Sequence, residues 1–131
     1  MKNFAILFST LCLLFNISYS QPSNITVDAG AYYFNPDPIE IEVGSTVTWI
    51  NVGGLHDVNG VTNTITGESF GNPEDFYLDP VYAMNADNPV EIGSYTFTVP
   101  GTYNYDCSIG NHAAQGMVGQ IIVTYVAYPG C

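Results

Sequence analysis

The stretch Cys107–Met117 places a thiol, an imidazole and a thioether on one short segment. Four residues separate Cys107 from His112, and four more separate His112 from Met117. A thiolate with imidazoles and a weak axial thioether is a soft donor set, suited to copper that cycles between two oxidation states. Three residues on one loop do not enclose an ion, so a further donor must come from elsewhere. The chain has only two histidines, and the other one, His56, follows the Gly53-Gly54 turn at the end of a strand-like segment. Taken alone, His56 reads as a partly buried histidine at a strand end; beside the Cys107 run it becomes the missing donor. Cys107 would be a thiolate when metallated and would release its proton on binding. Zinc suits this set less well, because a thioether is a poor zinc ligand.

The segments that must position these residues read as short strands separated by turns. Ile25 and Val27 alternate with polar residues, and Tyr32–Phe34 is strand-like ahead of an Asn35-Pro36-Asp37-Pro38 turn. Ile39–Val43 alternates apolar with acidic residues. In Thr46–Asn51 the residues Val47, Trp49 and Asn51 share one face, and Thr46, Thr48 and Ile50 the other. Asn72-Pro73-Glu74-Asp75 has the marks of a helix start: a cap, then proline, then acids in the first turn. It predicts a short helix or single turn near 73–78, stopped by Asp79-Pro80. Strands resume at Ser94–Val99, turn at Pro100-Gly101, and continue through Tyr103–Cys107; Val118–Val126 is a final apolar strand. Short strands at regular spacing, without alternating helices, indicate an all-β sandwich or barrel. The Cys107 run then lies between the last two strands, a rigid place for a metal.

Residues 1–20 have the form of a signal peptide. A short basic start, an apolar run from Phe4 to Phe15, and Ser18-Tyr19-Ser20 as a small-x-small cleavage pattern put the mature start near Gln21. The apolar run is shorter than the roughly 20 residues that span a bilayer. The protein is therefore expected to be exported, to a periplasm or the extracellular space, with no transmembrane segment in the mature chain. Residues 21–126 fit one domain, and 127–131 form a tail or the start of a further segment. At that size a chain buries about two-thirds of its unfolded surface, enough for one core.

Charge narrows the partners. All 12 Asp and Glu lie after residue 20, and the only basic side chain is Lys2. A mature domain without Lys or Arg does not bind nucleic acid, which needs cationic side chains to displace counterions; anionic lipid is disfavoured for the same reason. A cationic partner would be steered towards it, although solubility or a saline habitat accounts for the same composition. Two cysteines remain after processing, Cys107 and Cys131, and in an exported chain a disulfide between them is the default alternative to a metal.

The chain resembles the cupredoxins, the type 1 blue-copper proteins: plastocyanin-like overall, with a rusticyanin-like ligand loop. The resemblance runs from about Ile25 to Val126. It rests on Gly44–Asn51, His56-Asp57-Val58, Gly101–Cys107 and His112–Met117 followed by Val118–Val123. It implies an eight-stranded Greek-key sandwich. It makes His56, Cys107 and His112 equatorial ligands of one copper ion and Met117 the axial ligand, and it implies a carrier of single electrons between redox proteins, a cationic cytochrome among the candidates. It further implies that His112 reaches the surface through an apolar docking patch, for which Ala113, Ala114, Gly116 and Val118 are suitably small or apolar; tight loop packing explains them equally. The position after the first ligand is often Asn in the family and is Asp57 here. Asp57 would tie the ligand loops together through the backbone N–H or hydroxyl of Ser108, or else face solvent. An ionised carboxylate there would favour Cu(II) and lower the potential.

Three alternatives compete with electron transfer. A copper-binding or structural module of a larger secreted protein would use the same ligands. A cysteine nucleophile with a histidine base leaves the Met117 spacing unexplained and lacks an oxyanion-hole motif. A multicopper oxidase needs many more histidines. Four protein ligands leave no open position for a substrate, so no catalysis is expected. Asp57–Glu68 fails as a calcium loop, because Thr62 stands where glycine is required. Asn24-Ile25-Thr26 is a glycosylation sequon, meaningful in a eukaryote.

Overall fold

The computed structural model describes residues 21–126. The leader, the tail and Cys131 lie outside them. Nine strands form, in the order β1 (Asn24–Gly30), β2 (Tyr33–Asn35), β3 (Ile39–Glu42), β4 (Ser45–Asn51), β5 (Gly54–Asn59), β6 (Tyr77–Ala83), β7 (Val90–Phe97), β8 (Gly101–Asp106) and β9 (Val118–Thr124). They make two sheets, ordered β2-β1-β4-β7 and β3-β9-β8-β5-β6. The all-β sandwich expected from the strand pattern is the fold observed, with nine strands rather than eight.

Alternation sets which face is buried. In β4, Ser45, Val47, Trp49 and Asn51 are buried, while Thr46, Thr48 and Ile50 are partly exposed. Two parallel pairings cross the chain between neighbours distant in sequence: β1 with β4, Val27 opposite Trp49, and β3 with β9, Ile39 opposite Ile121. The remaining pairs are antiparallel, including β8 with β9, which brings Asp106 opposite Val118. That pairing fixes both ends of the Cys107–Met117 loop.

The core is aromatic. Phe76 is 3% exposed and its ring sits amid those of Trp49, Tyr95, Phe97, Tyr103 and Tyr105, at centroid distances of 5.2 to 6.2 Å. Tilted and edge-on aromatic pairs at such distances add to the stabilisation from area burial alone.

Phe76 also explains a departure from expectation. The short helix or turn expected near 73–78 is absent: residues 73–74 bend, and β6 begins at Tyr77 and runs through Asp79-Pro80. Asn72 does not cap a helix. Its amide donates to the carbonyls of Gly60 and Asn104, at 2.8 Å each, and its Oδ1 accepts from the Asn104 N–H at 2.8 Å. A side chain that mimics a strand partner for β8 outcompetes a local cap, and the core site for Phe76 keeps the following segment extended. Pro80 is tolerated because β6 is an edge strand of its sheet.

Truncating the ring at the centre of this cluster is expected to cost about 3–5 kcal/mol. Equilibrium urea unfolding of Phe76→Ala against the parent protein checks it; a loss below about 1 kcal/mol would contradict the packing described.

Candidate metal centre

His56 lies on β5 between a glycine turn and an irregularity in the β5–β6 pairing. The Gly53-Gly54 turn uses positive φ at both residues, +156° and +94°, and a β-bulge shifts the β5–β6 register between His56 and Val58. Asp79 and Pro80 of β6 both fall opposite Asp57 there, and on β5 His56, Asp57, Val58 and Asn59 are all buried in succession. Strict alternation would have put Asp57 outside.

Cys107 follows β8 directly and is fully buried. Its N–H donates to the Met117 carbonyl at 3.1 Å, and the Met117 N–H donates to the His112 carbonyl at 3.0 Å. The His112 N–H in turn donates to Ile109, and a 3-10 turn at Ala113–Gln115 closes on Gly116, whose φ is +106°. The loop is therefore held by its own backbone, with Met117 buried at its end.

Three of the four expected donors converge. Nδ1 of His112 lies 3.4 Å and Nδ1 of His56 3.8 Å from Cys107 Sγ, and one ligand atom from each residue falls within 4.8 Å of the others. Donors bound at about 2.0–2.3 Å to a common ion in tetrahedral or trigonal geometry stand roughly 3.3–4 Å from one another, so the cluster fits a single small ion. Nε2 of His56 is 2.9 Å from the Gly53 carbonyl. A carbonyl only accepts, so Nε2 carries the proton and Nδ1 presents its lone pair to the cluster. Met117 joins the loop to His112 and Cys107 through its backbone and lies in the same buried core as Cys107.

Burial sets the protonation of the donors. It pushes the Cys107 thiol up to about 11, with backbone hydrogen bonds working weakly against it. It lowers His56 below its ordinary 6.5, partly offset by the bond to Gly53. Without metal, burial thus favours a neutral His56 imidazole beside a protonated Cys107 thiol.

Asp57 does not face solvent. It is fully buried and accepts the Ser108 N–H at 2.6 Å, the Ser108 hydroxyl, and the Tyr77 hydroxyl at 3.1 Å. The tie between β5 and the ligand loop expected through Ser108 is present. Tyr77 was not legible as its third partner, since nothing in the spacing signals a contact across twenty residues.

His112 is half-buried. The Tyr32 ring meets it edge-on at 5.2 Å, and a pocket of about 270 Å³ opens beside it, lined by Tyr32, Leu55, Ile109 and His56 among others. Of the patch residues expected here, Ala114, Gly116 and Val118 are exposed but Ala113 is buried, so Ala113 packs the loop rather than facing outward. Tyr32 and Leu55, each about two-fifths exposed, are the rim residues that the spacing did not reveal. A larger groove, about 600 Å³, lies near Asp37, Asn104 and Gln120 and contains none of the donors.

Residues 22–124 match the model of the copper binding proteins of the plastocyanin/azurin family. The chain belongs to this family. As a cupredoxin it is 35% identical over 101 residues to a plastocyanin of Scenedesmus fuscus, covering 73% of this chain and 91% of that one. It is 29% identical over 116 residues to a chloroplastic plastocyanin of Hordeum vulgare, covering 85% and 67%. Its fold is similar to that of an oxidised amicyanin variant, with a TM-score of 0.53 and 27% identity over 76% of this chain and 81% of that one. The cupredoxin family binds copper, and the buried thiol and paired Nδ1 atoms here are donors fit for one copper ion.

The buried imidazole makes the metal-free cupredoxin acid-sensitive. As pH falls below 6.5, the unfolded chain takes up a proton at residue 56 that the folded one refuses. Stability present above 6.5 is therefore lost as pH falls towards the lowered folded value. Denaturant unfolding of metal-free protein between pH 8 and pH 5 should show this loss reduced in His56→Gln; parallel profiles for the two proteins would contradict it.

Proposed function

We propose that His56, Cys107, His112 and Met117 hold one copper ion, and that the domain carries single electrons between redox proteins. The observation that carries this reading is the convergence of a buried thiol and two imidazole Nδ1 atoms within 4.8 Å. When bound, copper supplies a one-electron Cu(I)/Cu(II) couple held by donors of mixed softness.

The residues of the chain supply the rest. The backbone bonds of the Cys107–Met117 loop fix its donors before any ion arrives, so little rearrangement accompanies a change of charge. Burial of Cys107, His56 and Met117 keeps water and other ligands away. His112 alone among the proposed ligands reaches the surface, and its edge is the exit for the electron. The apolar rim of Tyr32, Leu55 and Ile109 gives a partner a surface to desolvate. An acidic domain without Lys or Arg favours a partner with a cationic face, a cytochrome being one such protein.

A nucleophilic role for Cys107 is disfavoured on the same geometry. Nucleophilic cysteines are accessible and have depressed pKa values, whereas this thiol is fully buried and raised. Export is supported by the basic start and apolar run of residues 1–20. Among the described residues, no helix is long and apolar enough to cross a membrane.

Addition of Cu(II) to the mature domain should give an intense blue thiolate-to-copper absorption band that is absent in Cys107→Ala. A colourless wild-type protein would defeat the reading. Because the thiol stays protonated up to about pH 11, copper binding at pH 8 should release one proton from Cys107, and affinity should rise with pH; potentiometric titration at two pH values checks it. Asp57→Asn should raise the midpoint potential by removing a negative charge beside the site, measured by redox titration.

A further inference from the structure

Asp57 is a carboxylate buried in a domain with no cation to pair with it. The mature sequence has neither Lys nor Arg, and the burial of an unpaired charge is costly unless hydrogen bonds replace the lost water. Three donors do so. Two belong to Ser108, already part of the ligand loop; the third is the hydroxyl of Tyr77 on β6, 3.1 Å from Asp57 Oδ2. The β5–β6 register pairs His56 with Val81 and Val58 with Leu78, leaving Asp57 unpaired at the bulge, where a side chain from β6 can reach it. Tyr77 is 47% exposed, so the residue that supports this buried charge also forms part of the outer face of the sandwich.

We infer that Tyr77 is a positioning residue that sets the potential of the copper couple through Asp57. This rests on the copper reading above. With a thiolate ligand, oxidised copper carries one net positive charge and reduced copper none, so a nearby carboxylate stabilises the oxidised state. A hydrogen bond from Tyr77 draws charge from the carboxylate and weakens that bias. Removing the hydroxyl alone concentrates negative charge beside the site and lowers the potential; removing the charge raises it. A strand-edge tyrosine with a merely structural role gives no such opposition of sign.

The test compares midpoint potentials of the copper-loaded wild type, Tyr77→Phe, Asp57→Asn and the double variant, with the Ser108 amide resonance of each copper-free protein as an independent readout. Y77F is expected to shift the potential downward while copper stoichiometry and the blue band persist. D57N should shift it upward, and Y77F should have little further effect in the D57N background. The Ser108 amide should move in copper-free Y77F. An unchanged potential in Y77F beside a normal wild-type couple would overturn this inference alone. So would an equal downward shift in the D57N background, or a Ser108 amide that stays in place. A wild-type protein with no reversible couple would overturn the electron-transfer reading and this inference together.

Discussion

The bond between Asp57 and Ser108 joins two pieces of chain that strand pairing alone hardly connects. β5 and β8 share a single paired position, Asn59 opposite Asp106. Above that point His56 and the Cys107 loop belong to different branches of the sheet. The carboxylate of Asp57, adjacent to His56, accepts both the N–H and the hydroxyl of the residue adjacent to Cys107. One side chain thus fixes the separation of the two buried donors. Without it, the cluster would depend on core packing around Val58 and Met117 to hold an imidazole against a thiol.

That solution carries an electrostatic consequence. A domain rich in acids and empty of Lys and Arg has no ion pairs with which to bury a carboxylate. Hydroxyl and amide donors take that role at Asp57, and again at Asp106, which accepts from Asn59, from the Thr64 hydroxyl and from the Thr64 N–H. The two buried acids lie on neighbouring strands of one sheet, each next in sequence to a donor, His56 or Cys107, and both are stabilised by neutral dipoles. A copper ion held as proposed above would bring to Asp57 a positive charge that Lys and Arg do not supply. On the copper reading proposed above, such a carboxylate favours the more highly charged oxidation state, and its hydrogen bonds adjust that bias.

The loop from Cys107 to Met117 shows how a longer connection stays rigid. A left-handed Gly116, a 3-10 turn and two backbone bonds to the carbonyls of His112 and Met117 draw the segment into a closed shape. Ala113 packs inward beneath it. The half-exposed His112 is braced by Tyr32, from the turn between β1 and β2. The donors thus come from one sheet and the loop between two of its strands, and the other sheet contributes Tyr32 to the exposed edge.

The sequence by itself determined the chemistry and the strand pattern. A thiol, two imidazoles and a thioether are identities that no folding changes, and alternation in β3 and β4 assigns faces because side chains on a strand alternate with period two. The acidic character of the domain was equally legible. Tertiary structure decided what depends on distant partners. Asn72 looks like a helix cap within its own few residues, yet its amide completes hydrogen bonds to Gly60 and Asn104, and β6 runs where a helix was expected. Asp57 was readable as a tie but not as a fully buried one, because the groups that close over it include Tyr77, brought to it only by the β5–β6 pairing. Tyr77 and Tyr32 carry no local mark of their roles. Each meets its partner through packing between strands and turns far apart in the chain, and such encounters are set by register and sheet geometry rather than by any pattern within a window of residues.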